Sequence, residues 1–183
     1  MKQSIFTIKE NVALTDTVYK MVLSGDTSDI TNCGQFVNIK LDGLFLRRPI
    51  SVCDCENDDL TLIYKVVGTG TEQMCRMAKG DALDILTGLG NGYDTSLSGN
   101  APLLLGGGVG VPPMYMLCKE LISQGKKVSV VLGFNKADEM FYNIISIILD
   151  NIQTERIKSW QTIRKWLSKL RPWTLTLLSG TQT

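Results

Sequence analysis

Up to about residue 99 the chain alternates apolar and polar residues in short runs, each closed by Gly, Asn or Asp. The runs are SIFTIKENVAL (4–14), TVYKMVL (17–23), QFVNIKL (35–41), PISVCDC (49–55), DLTLIYKVV (59–67) and DALDIL (81–86). A period of two puts one face of each run toward a core, so each suits a strand. Six strands of this kind predict an antiparallel barrel. One stretch breaks the pattern: in GTEQMCRMAKG, Met74, Met77 and Ala78 follow helical spacing between Gly70 and Gly80.

From residue 100 to 143 the pattern becomes strand, glycine turn, helix, strand. APLLL is wholly apolar and GGGVG turns the chain. Pro112 suits a first helical position, MYMLCKELISQGK is the helix and KVSVVLGF the second strand. This is the opening of a parallel α/β unit. From residue 144 to 183 the composition shifts again, with all three Trp but only one of the 17 Gly. Arg156, Lys158, Arg164, Lys165, Lys169 and Arg171 outnumber Asp150 and Glu155, giving this tail a charge of +4 against −3 for residues 1–143. Ile157, Trp160, Ile163, Trp166, Leu167 and Leu170 make a basic amphipathic helix there.

Composition narrows the function. A net charge of +1 on 183 residues gives no reason to expect nucleic acid. No apolar run reaches the ~18 residues of a membrane span, and MKQSIFTIKE has no signal-peptide core, which together suggest the cytoplasm. The five cysteines are odd in number and scattered, as reduced thiols are. With no histidine, imidazole bases, Ser-His-Asp triads and His-ligated zinc are excluded. Cys53 and Cys55 are read as core or surface thiols on opposite faces of a strand, badly placed to share a metal, so no metal ligands are assigned.

Three motifs point to one class of ligand. In RRPIS, Arg48 offers a guanidinium that can bond two phosphate oxygens at once. Pro49 suits an edge or bend where no ladder donor is needed, and Ser51 places a short hydroxyl where a flavin ring edge could approach. Arg47 receives no role. The competing reading is a surface arginine at a barrel mouth. In YKVVGTGTEQM, Gly68 and Gly70 permit close backbone approach and Gly70-Thr71 opens a helix, whose first N–H groups suit an anion. Lys65 adds a cation. The competing reading is an ordinary turn with Thr71 as its cap.

In LLLGGGVGVPPM, Gly106, Gly107, Gly108 and Gly110 lie between a buried strand and a helix, where a dinucleotide phosphate can rest on backbone. Pro113 stands where a strict G-x-G-x-x-G has its last glycine. No acidic ribose ligand follows at the usual distance, Asp138 and Glu139 lying further along. Gly88, Gly90 and Gly92 of TGLGNGY form either a linker or a backbone approach to a bridging ligand.

In this order, the barrel with Arg-x-x-Ser, the Gly-Thr helix start and the glycine-rich α/β unit resemble the ferredoxin reductase superfamily. Within it, RRPIS, LIYKVVGTGT, GLGNGY and LLLGGGVGVPPMY closely resemble the electron transfer subunits of bacterial type B dihydroorotate dehydrogenases over residues 1 to about 142. Pro49-Ile50 stand where many relatives carry an aromatic residue, as in that subfamily. The resemblance implies a Greek-key FAD-binding barrel over 1–99 and an incomplete NAD-binding α/β domain over 100–143. It implies FAD on Arg48, Pro49, Ile50, Ser51, Ile63, Tyr64, Lys65, Gly70 and Thr71, and NAD over Gly106, Gly107, Gly108 and Gly110. It implies that no side chain need act as a catalytic residue. The implied partner is the catalytic subunit that oxidises dihydroorotate in pyrimidine biosynthesis, with electrons passing through a [2Fe-2S] cluster to FAD and on to NAD.

The cluster of that family needs Cys-x4-Cys-x2-Cys and a later fourth thiolate, and no cysteine follows Cys118. Residues 144–183 do not resemble the family region that should follow NKADEMFY. They are expected to be a frameshifted or truncated product, or else a real basic helix for a partner or membrane surface. Two further readings of the whole are a non-catalytic remnant that keeps nucleotide binding and the flavin module of another NADH-linked oxidoreductase.

Overall fold

The computed structural model describes residues 1–134. The amphipathic helix and altered tail expected over 144–183, and Asp138 and Glu139, lie outside the described residues. Six strands form first: β1 (Lys2–Ala13), β2 (Val18–Ser24), β3 (Phe36–Lys40), β4 (Arg48–Glu56), β5 (Asp59–Lys65) and β6 (Ala82–Leu89). They close into an antiparallel Greek-key barrel in the order β1-β2-β5-β4-β3-β6. Closure removes the free sheet edges that short strands would otherwise expose.

The alternation seen in the sequence is the alternation of burial. Phe6 and Ile8 of β1, Met21 and Leu23 of β2, Val37 and Ile39 of β3, Leu60 and Leu62 of β5 and Leu83 and Ile85 of β6 fill the barrel. Each contributes about 1.5–3 kcal/mol by leaving water. The expectation for Cys53 and Cys55 holds for a different reason than strand alternation, since residues two apart normally share a face. A register shift between Val52 and Asp54 breaks that rule. Cys55 therefore packs on the barrel core, whereas Cys53 belongs to the cluster outside it.

Helix α1 (Thr69–Cys75) lies between β5 and β6, with Met74 fully buried in the barrel core. It ends earlier than the spacing of Met77 and Ala78 predicted. Asp81 accepts a bond from Ala78 N–H at 2.8 Å and turns the chain there. Asn11 Nδ2 donates to the carbonyls of Met74 and Met77, both at 2.9 Å, and so closes the helix end.

After a short 3-10 turn at Thr95–Leu97, β7 (Leu103–Gly107) and β8 (Ser129–Gly133) pair in parallel through α2 (Pro112–Ser123). Pro112 is the first helical residue, as predicted. Val111, Leu117, Cys118 and Leu121 pack with Val18, Cys53 and Ile63 from the outer face of the barrel. Lys119 Nζ bonds both carboxylate oxygens of Asp54 at 3.0 Å and also reaches Glu56, tying α2 to β4. The Gly88, Gly90 and Gly92 connection turns tightly against neighbouring residues. All three have positive φ, of 68°, 81° and 74°, and a Cβ at Gly92 would lie 2.6 Å from that of Asn32.

Candidate functional site

Strands β4 and β5 pair only over Val52–Glu56 and Asp59–Leu62. Their other halves, residues 48–51 and 63–65, pair with β3 and β2 alone. The β4–β5 ladder of the barrel is therefore interrupted between these two halves. Arg48, Pro49, Ile50, Ser51, Ile63, Tyr64 and Lys65 all lie on these two half-strands. Pro49 is an exposed residue on a strand half that is paired on one side only, where a missing N–H is tolerated.

Arg48 is opposite Ile39, a core residue, so its side chain leaves the inner face at the barrel mouth. There it crosses α1. A Cβ built on Gly70 would lie 2.1 Å from Arg48 Nε and 2.8 Å from Cζ, so only glycine admits the guanidinium at this position. Arg48 Nη1 also donates to the Leu46 carbonyl. The first helical bond of α1 is Glu72 N–H to Gly68 O at 2.9 Å, which leaves the amides of Thr69, Gly70 and Thr71 among the orphans of the first turn. Two motifs 22 residues apart in the sequence thus meet at one point.

Other predicted residues take different places. The Thr71 hydroxyl accepts from the amides of Val67 and Gly68 at 2.9 and 3.3 Å and donates to Gly68 O at 3.0 Å, so its side chain serves the turn. Tyr64 is 2% exposed inside the barrel. Its hydroxyl donates to Asn11 Oδ1 at 3.0 Å and its ring stacks on Tyr19 at 5.9 Å. Burial raises its phenol pKa. Ile63 is buried against the α2 side, while Ile50, Ser51 and Lys65 are half-buried.

Arg47, which received no role, is a structural residue. Its Nη1 and Nη2 both reach Asp84 Oδ1 at 3.1 Å, and Nη1 also donates to the carbonyls of Asn38 and Asp84 at 3.2 Å. It binds β3 to β6. Nothing in RRPIS alone separates it from Arg48, because the separation depends on Asp84, 37 residues away.

The glycines after β7 divide by function as well. At Gly106 a Cβ would press on Met114 Cγ and Val111 Cα at 3.2 Å, so this glycine lets α2 approach the strand. Gly108 has φ +52°, and no atom lies within 4 Å of a Cβ at Gly108 or Gly110. The 108–110 turn lies against β5. Among the described residues, no group of three or more His, Cys, Asp or Glu is placed to hold a metal ion, and no helix is long and apolar enough to cross a membrane.

Known proteins resemble the chain in sequence and in fold. No family model matches the chain. The electron transfer subunit of dihydroorotate dehydrogenase B (NAD(+)) from Fusobacterium nucleatum is 43% identical over 150 residues, and that from Bacillus pumilus 41% over 150. Over the part it shares with them, the chain is similar in sequence to these electron transfer subunits. The matches take in 78% of the chain, and the chain spans 58% of the length of these dihydroorotate dehydrogenase B relatives.

Among solved structures, an NADH-dependent reduced ferredoxin-NADP oxidoreductase aligns with 91% of the chain and 64% of its own, at TM-score 0.76 and 26% identity. A ferredoxin NADP+ reductase from Neisseria gonorrhoeae, solved with bound FAD and NADP, aligns with 85% of the chain and 68% of its own at TM-score 0.72 and 18% identity, a likeness of fold.

Proposed function

We propose that the chain is the FAD-carrying electron transfer subunit of a dihydroorotate dehydrogenase, passing electrons from a catalytic subunit to NAD+. The observation that carries this reading is the packing of Arg48 on Gly70 beside the interrupted β4–β5 ladder. A dinucleotide pyrophosphate needs a fixed, planar cation and nearby N–H donors, and the two meet here.

The residues fit FAD. The space a side chain at residue 70 would fill is taken by the guanidinium, and the β4–β5 ladder is interrupted beside it over residues 48–51 and 63–65. Bound there, FAD would supply the hydride and electron chemistry, which no protein side chain provides. Arg48, held by the Leu46 carbonyl, neutralises the pyrophosphate. Ser51 would offer its hydroxyl to the flavin, and Ile63, Tyr64 and Lys65 would line the same site. Thr71 shapes the turn whose first amides would receive the phosphate. Around the 108–110 turn, the room beside Gly108 and Gly110 admits a nicotinamide nucleotide next to β5. With no base to supply, the absence of histidine is consistent with this chemistry.

In this reading residues 1–99 are the flavin unit and 100–143 the start of the nucleotide unit. The five cysteines, none after Cys118, contain no Cys-x4-Cys-x2-Cys run, so a [2Fe-2S] relay has no ligands among these residues. A second reading keeps the flavin chemistry and changes the partner. It is favoured by the 26% identity to the NADH-dependent oxidoreductase over 91% of the chain.

Mixing the purified chain with FAD, NADH and a dihydroorotate-oxidising catalytic subunit tests the proposal. The expected result is flavin bleaching by NADH and dihydroorotate-driven reduction that requires the catalytic subunit. A protein that takes up neither FAD nor FMN would overturn the flavin reading, and bleaching by NADH without any coupling to that subunit would favour the second.

A further inference from the structure

Strand β1 breaks its own alternation. Phe6 and Ile8 face the barrel core, and a strict period of two would send Glu10 and Val12 inward after them. The ladder to β2 instead shifts register between Ile8 and Glu10. Val12 is left 39% exposed, and Asn11 reaches inward in its place, its Oδ1 accepting from the hydroxyl of the buried Tyr64 at 3.0 Å. Its Nδ2 donates to the carbonyls of Met74 and Met77, both at 2.9 Å. A bulge that turns a valine out and an amide in gives up apolar burial, and bulges recur where a strand must aim one particular side chain.

Asn11 thereby joins β1 to Tyr64 of β5 and to the C-terminal end of α1. A helix of seven residues is marginal by itself and depends on what holds it. Met74 anchors α1 by burial, but apolar packing is non-directional, whereas hydrogen bonds fix an orientation. Gly70 lies one turn before Met74, and the Arg48 guanidinium both rests on Gly70 and donates to the Leu46 carbonyl. Any shift of α1 therefore moves the surface on which the guanidinium lies. We propose that Asn11 is a positioning residue for the flavin site, setting Gly70 beneath the Arg48 guanidinium by holding the far end of α1. The inference rests on the flavin site proposed above and adds a residue that acts through α1 without touching the ligand.

FAD titration of flavin-free Asn11→Ala, beside Arg47→Met as a variant destabilised elsewhere in the barrel, tests this. Under conditions where both are fully folded, Asn11→Ala should bind FAD about tenfold more weakly, while Arg47→Met stays near the wild type. Joining Asn11→Ala to Gly70→Ala should add nothing to the loss from Gly70→Ala alone, because both act on one contact. A wild-type measurement serves should Asn11→Ala fail to fold. By reciprocity, FAD should slow amide exchange at Arg76 and Met77, whose N–H groups bond Gln73 O and Met74 O at the end of α1. Undiminished FAD affinity in folded Asn11→Ala, an equal loss in Arg47→Met, additive losses in the double variant, or exchange at Arg76 and Met77 indifferent to FAD would each overturn this inference alone. A wild type that takes up no flavin would overturn the flavin site itself.

Discussion

The guanidinium of Arg48 occupies the space that a side chain at Gly70 would need, with Nε 2.1 Å from the position of the absent Cβ. The pairing makes a glycine on α1 part of an arginine's binding geometry. Gly70→Ala should therefore act through Arg48. Gly70 carries no left-handed φ, so alanine suits its helical position, and the variant should fold with an unchanged or slightly raised melting temperature. Its FAD affinity should fall by tenfold or more, as expected when a charge-assisted contact worth about 1.5–3 kcal/mol is displaced. Flavin titration beside a thermal melt separates the two effects.

The neighbouring arginine should show the reverse. Arg47→Met removes bonds to the Asp84 carboxylate and to two strand carbonyls in a part-buried setting. A loss of about 1–3 kcal/mol in a urea titration is expected, with flavin affinity of the folded protein nearly unchanged. If Arg47→Met lost flavin and kept its stability, the roles of the two arginines would be exchanged.

This contrast shows what the sequence made legible. The six strands, the helix between them and the strand-turn-helix after residue 100 followed from local periodicity and turn residues, because burial here obeys the same period. Arg48 and Gly70 each had a local signal. Their direct contact had none, and neither did the bonds from Arg47 to Asp84, from Lys119 to Asp54 or from Asn11 to the end of α1, all of which span tens of residues. Tyr64 was assigned to the ligand from its place in the motif, yet its ring fills the core, since an inward strand position overrides a polar tip that finds a partner. The β4 bulge, which sends Cys53 outward, left no mark on the sequence either.

The buried thiols predict an alkaline limit. Burial pushes the Cys53 thiol pKa up to about 12 and that of Cys118 up to about 11, from an ordinary value near 9. Above pH 9 the unfolded chain releases these protons while the folded protein retains them, so unfolding is favoured as pH rises. Stability should be level below pH 9 with respect to these groups and fall from there toward pH 11–12, measured as a urea midpoint against pH. In the native protein at pH 8, Cys53 and Cys118 should resist a thiol reagent and become reactive in urea.

The nucleotide turn can be altered apart from the flavin site. A Cβ at Gly110 would meet no atom within 4 Å, so Gly110→Glu should fold normally while placing a negative charge on the turn. NADH should then bleach the bound flavin at least tenfold more slowly at subsaturating concentration, with FAD affinity unchanged. Equal bleaching rates in variant and wild type would remove the 108–110 turn from the nucleotide path.

The most direct measurement is a titration of the flavin-free protein with FAD, set beside the same titration of Arg48→Met, a variant that keeps the length and apolar stem of the side chain. One FAD should bind per wild-type chain, with an affinity at least tenfold weaker for Arg48→Met at equal thermal stability. Binding of FAD by Arg48→Met as tightly as by the wild type would contradict that expectation.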